Sequence, residues 1–224
     1  MKKVEIEIQL LIRFYDSFFF GGGTGRGDIQ AYLLRDIHGF PYISGAALKG
    51  CIAEYAAALS KLVPAFSNGE KIFGTGGIQQ GSMFFENGIL VGKSDYYDLS
   101  DYLSQVRTGV SISRYTKAKK EGQLYTVETC GQGGKMVFQS SIHGFMDEDT
   151  YQRDIAHLVA AVRLIYSLGG KSSSGLGWLQ EPVTCCVKKG PRGYDADSSE
   201  QELIETEEIN QWIRDQIGGK KCTG

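Results

Sequence analysis

An amphipathic stretch runs out at Leu168, and the next nine residues read Gly-Gly-Lys-Ser-Ser-Ser-Gly-Leu-Gly before an apolar run resumes. Four glycines in nine positions exclude a regular helix or strand, so the two flanking segments must be joined by an irregular loop. Such a loop suits contact with phosphate. Its glycines let the main chain approach closely, its amides donate, and Lys171 supplies charge. A nucleotide-binding P-loop needs a glycine five residues ahead of the Gly-Lys-Ser step, where Ile165 stands, and it opens a helix instead of following one. The spacing therefore argues against a mononucleotide triphosphate and leaves a polynucleotide backbone open.

The rest of the chain alternates between two hydrophobic periods. Val4, Ile6, Ile8, Leu10, Ile12 and Phe14 repeat every second residue, which predicts a strand with one buried face. Segments 33–36 and 41–43 suggest a short hairpin. Ser44 is placed to cap a helix from about Ala46 to Leu62, which Pro64 ends. Residues 83–91 and 135–145 predict strands, 94–105 a short polar helix or loop, and 106–129 a long protruding hairpin. Asp149 or Thr150 opens a helix through Leu168, with Ile155, Leu158, Val159, Val162, Ile165 and Tyr166 on one face. Residues 176–187 resume a strand. The order is that of an α+β, ferredoxin-like β-α-β-β-α-β unit with insertions. Residues 188–198 look like a linker. Ser199 with Glu202 forms a capping-box pattern for a terminal helix to about Ile217.

Bulk properties narrow the partners. The net charge is -2, so nucleic-acid contact has to come from local patches and not from a global field. No run of eighteen apolar residues exists, so no membrane span is expected. The N-terminus alternates instead of forming a signal-peptide block. Five cysteines, an odd number without a Cys-x-x-Cys pair, fit reduced thiols in a cytoplasmic protein.

Three stretches carry candidate chemistry. A helix N-terminus favours phosphate oxygens, so Ser44 could donate there with Lys49 adding charge one turn on; equally, this is a capped helix with a surface lysine. Arg107 to Lys120 holds five cations, several hydroxyls and Tyr115, which suits single-stranded nucleic acid, or else lysines guarding a sheet edge. Asp28, Asp36 and His38 lie near the Gly21–Gly27 run. A carboxylate there could hold Mg²⁺ beside phosphate, although loop acids near glycine commonly shape turns. His143 and His157 fall on regular elements and read as structural, and no metal site is expected from the described spacing.

Taken together, these stretches resemble the RAMP superfamily of CRISPR-associated proteins. Leu34-Arg35-Asp36 through Gly39-x-Pro41-Tyr42-Ile43-Ser44-Gly45 to Leu48-Lys49-Gly50 resembles the family's RD-x-x-G-x-PYIPGSSLKG stretch. Ile72-Phe73-Gly74 with Gly81-Ser82-Met83-Phe84-Phe85 resembles its FG … G-x-L-x-F segment. Arg107 to Arg114 followed by Gly122-Gln-Leu124-Tyr125-x-x-Glu128 resembles R-x-G-V-x-I-D-R … G-x-L-F-x-x-E, and the loop at 169–177 resembles the family's C-terminal glycine-rich loop. The likeness spans about residues 4 to 187.

The resemblance implies a ferredoxin-like (RNA-recognition-motif-like) palm over 1–187, with a β-hairpin thumb at 107–129, and leaves 188–224 as linker and C-terminal helix. It implies a guide-RNA-binding structural subunit of a type III CRISPR ribonucleoprotein effector, partnered by guide RNA, target RNA and other RAMP subunits. Ser44, Lys49, Gly170, Lys171, Ser172, Ser173 and Ser174 would contact guide phosphates, with Arg107 and Arg114 in the thumb. Target-cleaving members carry an Asp six residues before the final Asp of the RD step, and that position here is Gln30. An amide neither holds a metal as a carboxylate does nor acts as a base, which favours a non-enzymatic role. Two alternatives remain. One is a metal-dependent RNase of the same complex using Asp28, which would need Mg²⁺. The other is a capping subunit on the guide 5′ end. RNA binding itself requires no cofactor.

Overall fold

The computed structural model describes residues 2–22, 29, 31–67, 69–92, 104–112, 115–131, 136–191 and 201–218. In chain order the elements are β1 (Lys3–Arg13), α1 (Gly45–Leu62), α2 (Gly69–Phe73), β2 (Gly74–Thr75), β3 (Gln79–Gln80), β4 (Met83–Phe85), β5 (Ile89–Leu90), β6 (Ser104–Ile112), β7 (Lys119–Cys130), β8 (Val137–Asp147), α3 (Tyr151–Arg163), β9 (Thr184–Lys189), β10 (Glu202–Ile204) and α4 (Thr206–Gly218).

The central sheet runs β10-β9-β1-β8-β4, with β5 also on β8 and every pairing antiparallel. β1 lies between β8 and β9, and the strand that follows α1 lies beyond β8. This is the interleaved order of two β-α-β halves, the ferredoxin-like palm. The period-two pattern of β1 sets its face. Ile6, Ile8, Leu10 and Ile12 are buried against Leu48, Ile52 and Ala56 of α1 and Ile155, Leu158, Val159 and Val162 of α3. The thumb is a separate two-stranded sheet, β6 with β7, inserted between β5 and β8. No helix among the described residues is long and apolar enough to cross a membrane.

Four local expectations change. The helix predicted through Leu168 ends at Arg163, because 166–168 turn to pair with 177–179. The Leu168 amide donates to the Gly177 carbonyl at 2.8 Å, the Leu179 amide donates to the Tyr166 carbonyl at 2.9 Å, and Ser167 bridges Trp178. The glycine-rich loop is thus clasped at its stem. The strand predicted for 176–187 is interrupted around Pro182, which has no amide to give a ladder. Leu179 still bridges Phe14 before β9 begins at Thr184. The strand predicted for 83–91 divides into β4 and β5. Of the capping-box pair, Ser199 lies outside the described residues, while Glu202 belongs to β10, which adds to β9, and α4 starts at Thr206. α4 then packs Ile209 and Trp212 onto the α3 side, with Trp212 edge-on to Tyr151 at 6.0 Å. The 94–103 part of the predicted polar helix or loop lies outside the described residues.

His157 is structural, as expected. It is 1 % exposed, Nε2 lies 2.9 Å from the Ala56 carbonyl, and its ring stacks on Phe66 at 4.7 Å. Burial pushes its pKa below the ordinary histidine value, outweighing the Ala56 contact and nearby Asp154.

Candidate nucleic-acid interface

α1 carries two stripes at helical spacing. Leu48, Ile52 and Ala56 face the core. Ala47, Cys51, Glu54, Tyr55 and Ala58 face outward and form one wall of a groove of about 750 Å³. The other wall is Tyr166, Ser167, Gly169, Gly170 and Ser172 from the stem and head of the glycine-rich loop, with Phe20 and Gly21 closing one side. Small residues at 47, 51 and 58 keep the floor low. From Ser44 to Ala58 the groove follows α1 for about 20 Å at the helical rise of ~1.5 Å per residue.

Ser44 stands at this groove's head in the backbone position that caps α1, yet its side chain makes no cap bond. Asn87 Oδ1 accepts from the Gly45 amide at 2.8 Å in its place. The Ser44 hydroxyl is therefore not spent on the helix. Ser44, Gly170 and Ser172, predicted from separate parts of the sequence, meet in this one groove.

Other predicted residues fall elsewhere. Lys49 projects from a different face of α1 into a second cleft of about 370 Å³, walled by the Gly74–Gly81 hairpin. Ser173 and Ser174 are exposed at the crown of the loop, outside the groove's lining. Lys171 adopts a left-handed conformation (φ 61°) and sets its ammonium 3.7 Å above the centre of the Tyr125 ring on β7. The loop's cation is thus held against the thumb. Arg107, exposed on β6, reaches back from the thumb's root to Ser17 Oγ at 3.4 Å. Arg114, Asp28 and Gln30 lie outside the described residues. Asp36 shapes a turn, its Oδ1 accepting from the His38 and Phe40 amides at 2.9 Å each. Among the described residues, no group of three or more His, Cys, Asp or Glu is arranged to hold a metal ion.

The loop's own amides are largely committed. Gly170 donates to the Phe19 carbonyl at 2.8 Å, Ser174 to Lys171 at 2.9 Å, Gly175 to Ser172 at 3.0 Å and Gly177 to Ser17 at 2.9 Å. Its glycines serve first to bring the main chain against residues 17–19 and 168, and only secondarily to present donors.

One pairing escaped the sequence. Glu128 on β7 accepts from the Leu33 amide at 3.0 Å and from Arg35 Nη2 at 2.6 Å, with only 12 % of its side chain exposed. The Glu128 amide donates to the Ala31 carbonyl, and Ala31 bridges Val127. Burial opposes ionisation of Glu128, but the Arg35 and Leu33 hydrogen bonds outweigh it, so its pKa lies below the usual carboxylate value. Both charged residues stood inside family-like motifs, 93 positions apart. No local periodicity signals such a pair. The groove-lining Glu54, Tyr55 and Tyr166 were missed too, although the second stripe on α1 could have flagged the first two. Cys51 is no nucleophile there: burial, and then Glu54, push its thiol up to about 11.

The fold is shared with solved structures. A chain of the type III-B Cmr-beta bound to cognate target RNA superposes with a TM-score of 0.58 at 14% identity, covering 80% of this chain and 96% of that one. A chain of type III-B Cmr-beta in the apo state gives 0.59 at 14% identity, with the same coverage of 80% and 96%. No curated protein matches the chain in sequence. Residues 13–180 match the profile of the RAMP superfamily, an interval that contains α1, the thumb and the glycine-rich loop. This chain is a member of the RAMP superfamily.

Proposed function

We propose that this chain is a guide-RNA-binding structural subunit of a type III CRISPR ribonucleoprotein effector, acting in cytoplasmic antiviral and anti-plasmid defence beside other RAMP subunits. The observation that carries this is the groove lined by Ser44, Gly170 and Ser172, whose glycine-rich loop touches the thumb through Lys171 on Tyr125. It offers hydroxyls and closely approachable backbone, which fits a ribose-phosphate chain better than it fits any one base sequence. The fold likeness to type III-B chains supports the setting. With a net charge of -2, the contacts must be local. Binding of this kind calls for no cofactor; Mg²⁺ would enter only with cleavage through Asp28. Target RNA would lie along the thumb.

Equilibrium binding of the full chain to a labelled single-stranded RNA tests the groove. Binding should weaken linearly in log–log form with salt, by a slope of about -0.7 per phosphate neutralised. The double change Ser44→Ala, Ser172→Ala should weaken it ~30-fold, two hydrogen bonds at about 1 kcal/mol each, with the fold intact by circular dichroism. Undiminished affinity in the double variant would contradict phosphate contact in this groove.

A further inference from the structure

The groove is chemically divided along its length. Ser44 stands at the head of the α1 wall and Glu54 and Tyr55 in its lower half, while Gly170, Ser172 and Tyr166 line the opposite wall. Glu54 lies ten residues from Ser44, about 15 Å along the helix axis. A carboxylate there repels a phosphate and accepts hydrogen bonds from hydroxyl or amino groups. The lower half is therefore built for the uncharged part of a nucleotide.

Its wall is aromatic and open. Tyr166 is 58% exposed and Trp178 is 47% exposed, although both rings sit on the clasped stem of the loop. Tyr166 lies edge-on to Tyr55 at 6.3 Å and tilted to Trp178 at 5.5 Å. Trp178 is fixed in turn by its indole N–H, which donates to the Ser172 carbonyl at 3.3 Å, and by its own carbonyl, which accepts from the Tyr15 amide at 2.8 Å. Burial, and then Tyr166 and Cys51 beside it, push the Tyr55 phenol above its ordinary pKa, so that ring is uncharged at neutral pH. Tyr166 and Trp178 brace each other and stay half open, with Tyr55 packed behind them against the core, which makes a pre-organised platform. Such a surface takes the π-face of a nucleobase irrespective of its identity.

We infer that the Tyr55–Tyr166–Trp178 cluster is a base-stacking subsite, which holds one unpaired base of single-stranded RNA with its phosphate at Gly170–Ser172, beside Trp178. This rests on the groove being the RNA site proposed above. It adds that the groove distinguishes an unstacked base from bare backbone. Tyr166 is the central contact, because it alone touches both other rings and lines the groove.

The test compares the full chain's affinity for a single-stranded oligoribonucleotide with that for an abasic ribose-phosphate strand of the same length. The wild type should prefer the base-bearing strand about tenfold. Tyr166→Leu should bring the ratio of the two affinities close to one, and Tyr166→Phe should retain the preference. In a Trp212→Phe background Trp178 is the sole tryptophan of the two in the sequence. Its fluorescence should be quenched by the base-bearing strand and not by the abasic one, a readout that holds even if Tyr166→Leu fails to fold. Equal affinity for both strands, or an unchanged preference in Tyr166→Leu, overturns the subsite while RNA binding stands. Failure of the wild type to bind either strand overturns the RNA site itself.

Discussion

Gly177→Ala is expected to lower the unfolding free energy by about 3 kcal/mol or more, and Gly175→Ala by only about 1 kcal/mol. Both residues have positive φ, 75° and 82°, so both variants incur the left-handed penalty. They differ in what a Cβ meets. At Gly177 it would lie 2.0 Å from the Leu168 carbonyl oxygen, whereas at Gly175 nothing lies within 4 Å. The clash at Gly177 has no easy relief, since its amide is bonded to Ser17 and its carbonyl to the Leu168 amide. Moving away would open the stem that clasps the loop. Urea denaturation of the two variants checks this, with the RNA affinity of Gly177→Ala falling alongside. Equal losses at the two positions would show that the stem is not closely packed.

Arg35→Ala is expected to cost about 3 kcal/mol at neutral pH, because it strands a largely buried carboxylate. Glu128 would keep the Leu33 amide and Ser104 but lose its counter-charge, and the root of the thumb would lose an ion pair to the palm. Amide exchange in β7 should accelerate relative to β1. The pH dependence gives the sign. The folded-state pKa of Glu128 is depressed, so its contribution is complete above the unfolded value of about 4.3 and is lost as pH falls through the lower folded value. The gap between wild type and Arg35→Ala should therefore narrow below about pH 4. A deficit that is the same in acid and at neutral pH would mean that the ion pair is not its source. Arg35 Nη1 also donates to the Gly39 carbonyl at 2.6 Å, and that part of the loss would persist in acid.

Much of the palm was legible because its signals are local and periodic. The alternation of Val4 to Phe14 named a strand and its buried face, and the spacing of Ile155, Leu158, Val159 and Val162 named the buried side of α3. The thumb was legible as two extended segments around a polar turn, though it runs from Ser104 to Cys130 and not from 107 to 129. Element ends failed where pairing overrode propensity. Ile165 and Tyr166 continue the helical period, but the clasp with 177–179 takes that backbone. Ser199 and Glu202 satisfy a cap pattern, but Glu202 finds a free edge on β9.

The site was half legible. Ser44 and the 169–177 loop could be marked from residue type alone. That Lys49 turns away from Ser44 follows from helical geometry, five residues being well off one stripe. Lys171 presses on Tyr125, and Glu128 binds Arg35. These contacts join residues tens of positions apart, and they depend on the sheet order that only folding supplies.

Ultraviolet crosslinking of the assembled effector complex to its guide RNA, followed by mass spectrometry of the crosslinked peptides, tests the central claim most directly. The predicted result is crosslinks on the outward face of α1 between Ser44 and Ala58 and on residues 166–172. An RNA-free complex would contradict the account. So would crosslinks confined to the open palm face, where Phe84 and Phe145 are 48% and 49% exposed.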